Sequence, residues 1–120
     1  MEMYETKSLV ERLEGIPNQL RRALSDEMTA WEVVERTKLD LARLEATSYG
    51  AYRAELLGRQ EKATEAQIAA CIDTDQNILE LRALLVTSQY ELRIESADVE
   101  AVRELSRTLG RLVQLRTMDQ

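Results

Sequence analysis

Apolar side chains recur along most of this chain at three- and four-residue steps, the spacing of one face of an α-helix. Leu9, Val10 and Leu13 make a first short amphipathic stretch, which Gly15-Ile16-Pro17 is expected to end, because Pro17 restricts Ile16 and suits a first helical turn. From Pro17 onward Leu20, Leu24, Met28, Trp31, Val34, Leu41 and Leu44 form a stripe that continues, in smaller residues, through Ser48, Tyr52 and Leu56. Leu57 to Ala63 is polar and of the length of a helix–helix connection. Thr64-Glu65-Ala66-Gln67 has the form of a capping box, and Asp73-Thr74-Asp75-Gln76 offers a second cap. A second stripe follows in Ile78, Leu81, Leu85, Leu92, Val99, Val102, Leu105, Leu109 and Leu112, thinned at Ser88 and at Glu95-Ser96, where a bend is expected.

The pattern predicts one all-α domain over residues 1–120: a short N-terminal helix over 1–16, a first long helix over 17–57, a connector with a short helix over 58–74 and a second long helix over 75–118. Together the two long helices form a hairpin. Helices of about forty residues are each roughly 60 Å long, more than a compact globule of this length is wide. A single seam between them does not use Leu39, Ile68, Leu79, Leu84, Val86, Ile94 and Leu115, so a homo-oligomer is expected. Trp31, Leu41, Leu81, Leu85, Val102 and Leu109 are the residues assigned to its core or interface.

Composition narrows the chemistry. The chain has no histidine, which removes the commonest general base and metal ligand, and its four glycines are scattered singly, so no phosphate-cradling loop occurs. Asp73 and Asp75 fit helix capping better than a metal or acid–base pair. The single cysteine, Cys71, lies in an apolar run and reads as an inert thiol. No enzymatic activity, metal or cofactor is therefore expected. No apolar run reaches the length of a membrane span, and the acidic N-terminus lacks the basic start of a secretory signal, so the expected location is the cytoplasm.

A net charge of −6 is unevenly spread. Residues 65–100 carry eight acids against Arg82 and Arg93, whereas Arg103, Arg107, Arg111 and Arg116 make the C-terminal segment basic. Arg103, Arg107 and Arg111 share one helical face, where complementing the helix dipole is the simpler reading. Lys38, Arg43, Arg53, Arg59 and Lys62 lie with Tyr49 and Tyr52 near the end of the first long helix, a mixture that single-strand binders use to hold phosphates and stack bases. A solvated face with two partly buried tyrosines explains the same residues.

Over residues 20–115 the order of features resembles the bacteriophage UvsY-type recombination mediators: Leu41-Ala42-Arg43-Leu44-Glu45-Ala46 on a helix, Ala51-Tyr52-Arg53-Ala54, a polar loop, the Thr64-Glu65-Ala66-Gln67 helix start, Asp73-Thr74-Asp75 and a long final helix. The resemblance implies an all-α ring that binds single-stranded DNA and helps load a RecA-like recombinase onto strands covered by single-strand-binding protein. It places the DNA-contacting stretch near Arg53. The function expected on this basis is a non-enzymatic recombination accessory protein binding single-stranded DNA through Arg53, Arg43, Arg59, Lys62, Lys38 and Tyr52. The alternative is a helical structural or adaptor oligomer that binds proteins only. A third reading makes the acidic 65–100 segment a nucleic-acid mimic.

Overall fold

The computed structural model describes residues 2–59 and 62–118, with side chains from residue 8 onward. Residues 60 and 61 of the expected connector lie outside the described residues. The protein is all-α: α1 spans Glu2–Gly58, α2 Glu65–Asp73 and α3 Gln76–Met118, and no strand occurs among the described residues.

The break expected at residues 15–17 is absent, because α1 runs through Pro17 without ending. Local preference is overridden here by packing. Ile16 is buried and Leu20 half-buried, while Pro17 itself is exposed, so water can reach the Leu13 carbonyl that lost its amide partner. The expected 1–16 and 17–57 helices are thus one element. α3 is likewise continuous through Glu95 and Ser96.

The connection into α2 is set by local hydrogen bonds. Thr64, in extended geometry, accepts the Gln67 amide on its hydroxyl at 3.2 Å, and the Gln67 side chain accepts the Thr64 amide at 3.3 Å, so both halves of the capping box form. The Asp75 carboxylate caps α3, accepting the amides of Asn77 at 2.9 Å and Ile78 at 3.1 Å.

The chain divides into two compact units. Unit 1 combines Met1–Ala30 with Glu91–Gln120, and unit 2 is the continuous stretch Trp31–Tyr90. In unit 2 the inward positions of α1 are Val34, Thr37, Leu41, Leu44, Ser48, Tyr52 and Leu56, and those of α3 are Ile78, Leu81, Leu85 and Ser88. Steps alternate between three and four residues from Val34 to Ser48 and from Ile78 to Ser88, which makes this a coiled-coil seam, and are of four residues from Ser48 to Leu56. Arg82 bonds Glu45, and Asp75 bonds Tyr52. One heptad forward on α1 therefore matches one heptad backward on α3, and the two run antiparallel there. α2 adds Ile68, 1 % exposed.

In unit 1 the seam of α3 continues the same steps through Leu92, Glu95, Val99, Val102, Ser106, Leu109, Val113 and Arg116, all buried or half-buried. α1 contributes Leu13, Ile16, Leu20, Ala23, Glu27 and Ala30. Of the six residues assigned to the core, Leu109 is buried and Leu41, Leu81, Leu85 and Val102 are half-buried. Trp31 is not in the core of the chain: it is 49 % exposed. The seam passes through Ala30 and Val34 on either side of it, and Trp31 stands on the flank.

Candidate functional site

The basic residues assigned to DNA binding, Lys38, Arg43, Arg53, Arg59 and Lys62, all belong to unit 2, but they do not converge. At about 100° per residue, Lys38 and Arg43 point roughly 140° apart around α1, and Arg43 and Arg53 roughly 80° apart. Lys38 pairs with Glu35 at 3.4 Å, and Arg59 pairs with Glu55 one turn back. Arg43, Arg53 and Lys62 are exposed and have no acid within ion-pair distance among the described residues. In the competing basic stripe, Arg103 pairs with Glu100 at 2.8 Å and Arg107 with Glu104 at 2.7 Å, whereas the exposed Arg111 has no acid within ion-pair distance among the described residues.

The two tyrosines are engaged inside the unit. Tyr52 donates its hydroxyl to Asp75 at 2.5 Å, and Tyr49 donates to Glu65 at 2.6 Å. Both rings are half-buried. The bond to Asp75, with some burial and the negative charge beside it, pushes the Tyr52 phenol up to about 12. The bond to Glu65 raises Tyr49 in the same way. Asp75 is held below the ordinary carboxylate value, first by the Tyr52 hydroxyl and then by the Ile78 and Asn77 amides, against a smaller opposing effect of burial. At neutral pH these pairs hold protons and do not move them. They tie α2 and the start of α3 to α1.

Arg82 completes the same clamp. Its guanidinium donates to Asp73 at 3.1 Å and to Glu45 at 3.3 and 3.4 Å, and these two partners raise its pKa, Asp73 first. With Arg82 and Glu45 both partly exposed, water screens the pairing, and it fixes register more than stability. Of the two aspartates read from sequence as caps, Asp75 caps α3 and also anchors Tyr52, whereas Asp73 ends α2 and its carboxylate bonds Arg82. Nothing in the local sequence signals these anchors, because the partners lie 9 and 23 residues away.

Unit 1 holds a groove of about 220 Å³ lined by Gln19, Arg22, Ala23, Asp26, Glu95, Asp98 and Val102. Among the described residues no group of three or more acids or cysteines is placed to hold a metal ion. No described helix is long and apolar enough to cross a membrane.

The most extensive unassigned feature is apolar. Unit 2 exposes Trp31, Val33, Leu39, Leu57, Leu79, Leu84, Val86 and Tyr90, while its own seam spends positions on Thr37, Ser48 and Ser88. These three buried hydroxyl residues are small, and Thr37 and Ser88 return their hydroxyls to backbone carbonyls of their own helix. Large apolar side chains face out and small polar ones face in. Compared with protein-family models, curated proteins and solved structures, the chain matches none.

Proposed function

We propose that this chain is a non-enzymatic helical scaffold that works as an assembly of identical copies. The observation that carries the reading is the inverted distribution in unit 2, where Trp31, Leu39, Val86 and Tyr90 are exposed and Thr37, Ser48 and Ser88 are buried. Intrachain packing alone gives no reason for that distribution, since each exposed aromatic or aliphatic side chain leaves apolar surface in water. Covering those side chains with further copies supplies the missing burial and fits the long helical hairpin read from the sequence. Size exclusion with light scattering tests the proposal: a concentration-dependent mass above that of one chain is expected, and a monomer at all concentrations would refute it.

A second reading, an oligomeric binder of single-stranded DNA that helps load a RecA-like recombinase, is favoured by one observation. Arg43, Arg53 and Lys62 stay exposed, with no acid within ion-pair distance among the described residues, in an otherwise acidic protein. One copy presents too few cations, and they diverge; repetition around an assembly multiplies them. Tyr52, whose hydroxyl is bonded to Asp75, has no part in this version of the site. Fluorescence anisotropy of a labelled oligonucleotide decides it. Binding that weakens steeply with salt and is reduced by Arg53→Glu at unchanged assembly mass is expected, and no binding at low salt removes the reading.

A further inference from the structure

α3 carries two apolar stripes in unit 2. Ile78, Leu81, Leu85 and Ser88 form the inward seam. Leu79, Ala83, Val86 and Tyr90, at steps of four, three and four, form a second stripe confined to roughly 60° of the helix surface. All four are exposed, Leu79 at 41 %, Val86 at 65 % and Tyr90 at 63 %. We infer that this stripe is the face by which two copies of the chain pair, lying antiparallel across a two-fold axis between Ala83 and Val86. The inference rests on the assembly reading above and names the surface that performs it.

Three observations select a second copy as the occupant. The first is charge. A two-fold contact brings one patch against itself, so any charge near its centre meets its like. From Gln76 to Tyr90 the only charges are Glu80, which points about 100° away from Leu79, and Arg82, which is held by Asp73 and Glu45. The outward side of α1 in the same unit carries Glu32, Arg36, Asp40 and Arg43 and lacks this property.

Second, the stripe is complementary to its own reverse. In the antiparallel arrangement Leu79 lies opposite Tyr90 of the other copy, and Ala83 lies opposite Val86. Each small or aliphatic position thus receives a larger side chain, and Ala83 lets the two helices approach. Because the axis generates each contact twice, four residues make four pairings.

The third is area. The exposed fractions leave roughly 400 Å² of apolar surface on the stripe, about half of the ~800 Å² that each partner contributes to a standard interface. A typical interface is itself only about 56–58 % apolar. With Gln76, Glu80 and Thr87 as a polar rim, the stripe matches the apolar core of one such contact.

Sedimentation velocity over a wide concentration range tests the face on the full chain. Wild type should self-associate, Val86→Glu should weaken association at least about tenfold with unchanged helical circular dichroism, and Val86→Ile should stay within about threefold of wild type. Mixing Val86→Glu copies with Ala83→Lys copies should restore association, because residues 83 and 86 face each other across the axis. If wild type associates and Val86→Glu associates as well, the face is wrong and the assembly reading stands. Should wild type remain monomeric throughout, both fall. Failure of the mixed pair to associate, after each variant alone has lost association, overturns the antiparallel register. Val86 is largely exposed within the chain, so a charge there is compatible with folding; if helicity nevertheless drops, Tyr90→Glu replaces it, with Leu79→Lys as its partner in the mixture.

Discussion

Ile78→Ala probes whether unit 2 is held by its own seam. Ile78 is fully buried, at 0 % exposure, in the first turn of α3 beside the Asp75 cap. The substitution deletes three carbon atoms, and at about 0.8 kcal/mol per buried methylene the transfer loss is roughly 2.4 kcal/mol. A residual cavity adds to this, and Ala's better helix propensity returns a few tenths, so the expected loss is about 2–4 kcal/mol. The Ile78 amide still bonds Asp75, which confines the effect to the side chain. Leu79→Ala is the paired control one position along. Its side chain is 41 % exposed, and its loss within a single chain should be about 1 kcal/mol or less. Urea unfolding followed by circular dichroism, at a dilution where light scattering reports one species for all variants, gives both values free of association effects. Equal losses at 78 and 79 would mean that the inward and outward faces of α3 are misassigned.

Tyr52→Phe should remove stability across the middle of the pH scale and change little at its two ends. The Tyr52 pKa is raised from 10.0 to about 12, so its bond contributes fully below pH 10 and is lost as pH rises to about 12. The Asp75 pKa is lowered from 3.8, so its contribution is present above that value and is lost as pH falls through the lower folded value. Denaturation midpoints across pH should therefore converge for wild type and variant only at the extremes, and tyrosinate absorbance should lose its latest-titrating component. Thr64→Ala removes the hydroxyl that accepts the Gln67 amide, while the backbone amide of residue 64 can still donate to the Gln67 side chain; it should cost about 1 kcal/mol in urea unfolding, with Thr64→Ser close to wild type. Gly50→Ala should raise stability by about 0.5–1 kcal/mol, because Gly50 is helical and a Cβ there meets nothing within 4 Å.

Features that depend on neighbours in sequence were legible before the fold. The Thr64–Gln67 box and the Asp75 cap are complete within four residues, and the three- and four-residue periodicity gives the helices. Features decided by packing were not. Pro17 reads as a boundary, yet burial of Ile16 carries the helix across it. Trp31 joins Leu24 and Met28 in an apolar stripe, but the true seam one ridge over uses Ala23, Glu27 and Ala30, whose sizes and charge conceal it. The candidate basic site fared similarly. Sequence proximity grouped Lys38, Arg43, Arg53 and Arg59, while helical phase spreads them and Glu35 and Glu55 neutralise two. Tyr52 was recognisable as an aromatic beside cations, but its commitment to Asp75, 23 residues on, follows only from the antiparallel return of the chain.

The division into units carries a consequence for the order of folding. Unit 2 is one unbroken stretch, Trp31–Tyr90, whereas unit 1 joins the two ends of the chain. Docking those ends first would close a loop of the whole intervening stretch before any contact inside it had formed, and the entropy of that closure grows with loop length. Once unit 2 has formed, the ends of α1 and α3 are held close and each further heptad adds only local order. Hydrogen exchange during refolding should therefore protect the Ile78 amide before that of Leu109. Unit 1 then orders from Ala30 and Glu91, the residues that adjoin unit 2 in the sequence.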